Sequence, residues 1–117
     1  MTTLKILNGN LLITIKGFDK IWALKSQITI PLKHITDVQY QPEAARGWWH
    51  GFRFPGTNIP NILIAGTFYQ KGEWTFWDVH NPEKTIIIKL VNESYHKLII
   101  EVENVKETIE QITVARR

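Results

Sequence analysis

Apolar residues in this chain come in short runs with a period of two, and only the C-terminal tail changes to the period of a helix. An extended chain sends successive side chains to opposite faces, so this pattern restricts the fold to packed β-sheets with one terminal helix. Residues 11–15 form a β-branched run, punctuated by Gly17-Phe18-Asp19. Residues 20–24 follow, then 27–30, where alternation sets Ile28 and Ile30 on one face. Pro31 marks a strand end, because it cannot donate to a ladder. Residues 34–40 alternate through Ile35, Val38 and Tyr40, with a slip near Asp37 that predicts a bulge. Residues 62–69 and 74–79 are joined by a hairpin turn at 70–73; Trp74, Phe76 and Asp78 share one face of the second strand, and Thr75, Trp77 and Val79 the other. Asn81-Pro82-Glu83 turns the chain into strands at 85–90 and 98–102.

The tail then switches period. Asn104 has the character of a helix N-cap, with Glu107 three positions on, and Val105, Ile109 and Ile112 fall on one stripe. Such a sheet hides its edges by closing into a barrel or doubling into a sandwich, and one helix can cover the open end. At 117 residues the chain has room for one domain, taken as 1–117. Its 44% hydrophobic and 21% charged residues are an ordinary globular balance. Without cysteine, disulfides and thiolate metal sites are excluded, which suits a reducing cytoplasm. The N-terminus lacks the apolar core of a signal peptide, and no run approaches the length of a membrane span.

Between residues 41 and 61 the alternation breaks, and prolines 42, 55 and 60 and glycines 47, 51 and 56 punctuate a long loop. Loops of this length in small domains tend to carry function. Within it Arg46, Trp48, Trp49, His50, Phe52, Arg53 and Phe54 crowd large rings beside two arginines. Indoles suit boundaries between apolar and wet surroundings, and arginine beside them suits an anionic headgroup or a protein hot spot. These residues are candidates for a docking surface; the competing reading folds the rings back into the core. Trp22, Phe68, Trp74, Trp77 and Tyr95 are expected mainly in the core or on sheet faces.

Net charge is +3, and all of it lies before residue 42, where Lys5, Lys16, Lys20, Lys25 and Lys33 face only Asp19 and Asp37. Lys16, Lys20 and Lys25 could meet an anionic lipid surface, or they blunt a strand edge against pairing. The charge is too low and dispersed to favour nucleic acid.

Catalytic motifs are lacking. The four histidines, His34, His50, His80 and His96, fall at no metal-site spacing, and neither Ser26 nor Ser94 sits in a nucleophile elbow. Asp78 and His80 suggest acid–base chemistry only weakly, since an aspartate before Asn81-Pro82 more simply caps a turn. No enzyme activity and no cofactor are expected.

From Pro55-Gly56-Thr57 through Ile64-Ala65-Gly66-Thr67-Phe68-Tyr69, Phe76-Trp77-Asp78-Val79-His80-Asn81-Pro82-Glu83, Ile86-Ile87-Ile88-Lys89-Leu90 and Tyr95-His96-Lys97-Leu98-Ile99-Ile100-Glu101-Val102-Glu103, the chain resembles a group of bacterial pleckstrin-homology-like domains. The resemblance implies a barrel of about seven antiparallel strands in two orthogonal sheets, capped by one C-terminal helix. It carries no settled ligand. The basic motif by which such domains hold phosphoinositides is incomplete, with Asp19 among the lysines and no following arginine, and the terminal helix lacks the signature tryptophan.

The resulting expectation is a cytoplasmic interaction module that binds a protein or itself, through a sheet edge or the 46–55 loop. The alternative is peripheral attachment to an anionic membrane through that loop, aided by Lys16 and Lys20. A small apolar ligand at the barrel mouth is a third, weaker possibility.

Overall fold

In the computed structural model, which describes residues 2–15, 27–40, 64–70, 72–79 and 81–117, the chain forms two β-sheets and one C-terminal helix. Strands β1 (Thr2–Leu7), β2 (Asn10–Ile15) and β3 (Gln27–Pro31) make an antiparallel sheet in chain order. Strands β4 (Ile35–Gln39), β5 (Ile64–Gln70), β6 (Glu73–Val79), β7 (Thr85–Leu90) and β8 (Lys97–Glu101) make the second, in the order β4-β7-β8-β6-β5. Helix α1 (Val105–Ala115) follows. The expected layout, mainly β in two sheets with one terminal helix, is therefore what the chain forms.

Alternation explains the first sheet. Leu11, Ile13 and Ile15 of β2 and Ile28 and Ile30 of β3 are buried, whereas Thr14, Gln27 and Thr29 are exposed. The second sheet is different, because β6, β7 and β8 are buried on both faces. Phe76, Ile86, Ile88, Leu98 and Ile100 join the core shared with the first sheet and with Ile112 of α1. On the opposite face Trp77, Val79, Ile87 and Ile99 are equally inaccessible, and register sets Trp77 beside Ile99 and Ile99 beside Ile87. Continuous apolar runs such as Ile86-Ile87-Ile88 are what a strand covered on both sides requires.

One pairing breaks the antiparallel pattern: β6 and β8 run parallel, with Trp77 opposite Ile99. The connection from β6 to β7 contains a 3-10 turn (Pro82–Lys84), too long for a tight hairpin. β7 therefore lies one strand width away, and β8 returns antiparallel to β7 to fill the gap. Asn81 shapes the connection: its Oδ1 accepts from the Glu83 N–H at 3.0 Å, and its carbonyl accepts from Thr85 Oγ1 at 2.8 Å.

The bulge expected in β4 is present, as a register shift between Ile35 and Asp37 opposite β7. The helix start is also as expected, since Asn104 Oδ1 accepts from the Glu107 N–H at 3.0 Å. Ile112 is buried, with Val105 and Ile109 packed against the core on the same stripe. Residues 2–7 form β1, a strand beyond those expected from the apolar runs. Asn8 and Gly9 both take positive φ, 54° and 76°, the geometry of a two-residue hairpin turn whose twist matches the flanking strands. The Asn-Gly pair was the available signal.

Candidate functional site

Most of the residues that the sequence nominates for binding lie outside the described residues: Arg46, Trp48, Trp49, His50, Phe52, Arg53 and Phe54 of the aromatic loop, and Lys16, Lys20 and Lys25. So do Trp22, His80 and the side chain of Phe68. The candidate site therefore comes from the sheet edges, and β1 offers the better-defined one.

The Asn8-Gly9 turn fixes which backbone groups of β1 point outward. In a two-residue hairpin the residues flanking the turn exchange hydrogen bonds, and bonded and non-bonded pairs then alternate. Leu7 pairs with Asn10, Lys5 with Leu12 and Thr3 with Thr14, so these residues of β1 bond to β2. Thr2, Leu4 and Ile6 consequently direct their backbone N–H and C=O away from β2. No strand among the described residues pairs with that outer edge. The side chains of Leu4 and Ile6 are half-buried against the core, while Thr3, Lys5 and Leu7 are exposed on the other face.

Helix α1 runs beside this edge and leaves a groove between them. One part, about 610 Å³, is lined by Leu4, Lys5, Ile6, Glu107, Glu110, Gln111, Val114 and Ala115. An adjoining part of about 350 Å³ brings in Thr2, Thr3, Val102, Glu103, Asn104 and Thr108. Helical periodicity produces the wall: Glu107, Glu110, Gln111 and Val114 stand at i, i+3, i+4 and i+7, a stripe distinct from the Val105–Ile109–Ile112 stripe that meets the core. The helix is held at both ends, by the Asn104 cap and by Arg116, whose Nη2 donates to the Thr36 carbonyl of β4 at 3.0 Å. Thr2 Oγ1 donates to the buried Glu101 carbonyl at 2.8 Å, which anchors the start of β1 against the second sheet.

A second exposed feature sits at the β5–β6 hairpin. The Tyr69 and Trp74 rings pack at 4.9 Å with a 56° tilt, and they are 61% and 45% exposed. Trp74 was expected in the core or on a covered sheet face; it lies beyond the covered part of β6, where its strand neighbours Phe76 and Trp77 are fully buried. Its backbone N–H donates to His96 Nδ1 at 2.9 Å, and Lys97 Nζ lies 3.0 Å from Glu73 Oε2. Tyr95 packs edge-on against Phe76 at 5.8 Å, as expected.

Asp78, expected to cap the turn at 81–83, is fully buried within β6, and Asn81 Oδ1 caps that turn. His34 Nδ1 bonds Glu93 Oε2, joining the turn before β4 to the β7–β8 connection. Among the described residues no group of three or more His, Asp or Glu side chains is placed to hold a metal ion. No helix among them is long and apolar enough to cross a membrane.

No family model, curated protein or solved structure matches the chain.

Proposed function

We propose that this protein is a non-catalytic interaction module that takes an extended segment of a partner protein as an added strand on the outer edge of β1. The observation that supports this most is the coincidence of a strand edge that no described strand pairs with and a groove walled by α1. Main-chain groups of Thr2, Leu4 and Ile6 offer ladder hydrogen bonds, and the helix wall offers side-chain selectivity. Strand addition of this kind takes affinity from the backbone and specificity from pockets for alternate side chains.

The two sheets with a C-terminal helix also agree with a pleckstrin-homology-like arrangement, and we carry that assignment as part of the same proposal. Membrane attachment through Trp48, Trp49 and their neighbouring arginines is the competing reading, and it rests on residues outside those described.

The test is peptide selection from a random displayed library, followed by backbone amide shift mapping with the selected peptides. The expected result is perturbation confined to residues 2–7 and 103–115, abolished by Gln111→Trp, which fills the groove from an exposed position. Perturbation elsewhere, or binding indifferent to Gln111→Trp at unchanged stability, overturns the proposal. Co-sedimentation with anionic vesicles and release by salt would favour the membrane reading instead.

A further inference from the structure

The groove beside β1 is acidic along its length and gains an apolar wall only near Ile6, and this bears on what fills it. Resting on the strand-addition reading above, we propose that the occupant is a cationic extended segment. Lysine or arginine would stand at its alternate positions facing α1 beside Thr2 and Leu4, with a small apolar residue beside Ile6 and Val114.

Three facts carry this. The groove sets one lysine, Lys5, against three glutamates, Glu103, Glu107 and Glu110, in a chain whose overall charge is +3. All three glutamates are exposed, and none forms an ion pair among the described residues. Glutamates also line the groove throughout, Glu103 and Glu107 in the part with Thr2 and Leu4 and Glu107 and Glu110 in the part with Ile6, where Val114 and Ala115 add an apolar wall.

The spacing suits an added strand. Side chains on one face of a strand recur about every 6.6 Å, and a helix repeats its face about every 5.4 Å. Alternate residues of an added strand therefore meet successive turns of α1 before the two periods drift apart. Lys5 stands on the opposite face from Leu4 and Ile6, so the intervening residues of the segment should be uncharged or acidic. Exposed pairs contribute modestly to affinity, so the acidic wall acts mainly on selectivity and rate of encounter.

The probes are three blocked pentapeptides, Lys-Thr-Lys-Thr-Val, Gln-Thr-Gln-Thr-Val and Glu-Thr-Glu-Thr-Val, each also made in reversed order to serve either strand direction. They are titrated into the full chain and followed by amide shifts. The lysine peptide in one order is expected to bind about fivefold or more tighter than the glutamine peptide. That margin should shrink as salt rises, and should vanish in the triple variant Glu103→Gln, Glu107→Gln, Glu110→Gln. Equal binding of all three at β1 overturns the charge inference and leaves the strand-addition reading standing. If no probe moves the amides of residues 2–7 and 103–115, while library-selected peptides also map elsewhere, both fall.

Discussion

The backbone N–H of Asn81 donates to Oε1 of Glu101 at 2.8 Å, joining the turn after β6 to the end of β8. Glu101 is only 5% exposed, so this carboxylate spends its hydrogen-bonding capacity inside the fold. Glu101→Ala leaves the Asn81 donor without its partner and should cost about 1–3 kcal/mol. Glu101→Gln keeps an acceptor oxygen at the same reach and should recover most of that loss. Urea unfolding of the two variants checks this; equal destabilisation by both would show that charge, and not the acceptor, matters.

The β1–β2 turn makes a second demand. Gly9 has φ +76° with open space around the position of a Cβ, so a side chain there meets backbone strain and no clash. Gly9→Ala should lower stability by about 1 kcal/mol, and Gly9→Val by more, because β-branching disfavours this conformation further. The unfolding midpoint should fall with its slope unchanged.

Trp77 and Trp74 lie three residues apart in β6 and should lose very different amounts of stability on truncation. Trp77 is completely buried among Ile99 and its neighbours, and Trp77→Ala should cost about 3–5 kcal/mol. Trp74 is 45% exposed, and its described ring contact is with Tyr69. Trp74→Ala should cost little beyond the ring pair, about 0.5–1.5 kcal/mol, measurable as the coupling in a double-mutant cycle with Tyr69→Ala. A large loss at Trp74 would mean that its buried half carries core packing.

Proline reads out the two sides of β1. Lys5 directs its N–H to β2, so Lys5→Pro should remove a ladder bond and cost about 3 kcal/mol or more. Leu4 directs its N–H outward, so Leu4→Pro should cost only part of its half-buried packing while removing one donor from the binding edge. Thermal unfolding should separate the two variants clearly. Similar destabilisation would contradict the assignment of bonded and outward residues made from the turn.

Much of the layout follows from local rules. The alternating and continuous apolar runs become β2, β3, β6 and β7, the slip at Asp37 becomes a register shift, and Asn104 caps the helix it announces. Each depends on residues close in sequence, where side-chain direction and turn chemistry act directly. β1 is equally local, marked by Asn8-Gly9 between two alternating runs.

The sequence by itself determined the strands, their turns and the apolar stripe of α1, because these are set by neighbours a few positions away. Tertiary structure alone decided that β8 would enter between β6 and β7, that Trp77 would be sealed while Trp74 stayed exposed, and that α1 would stand beside β1. Period-two alternation assigns a residue to a face but does not say how far along the strand that face is covered. Nor does the stripe Glu107, Glu110, Gln111 and Val114 disclose what lies opposite it. Coverage and opposition depend on segments distant in the chain, and only their packing brings an acidic helix wall to the outer edge of β1.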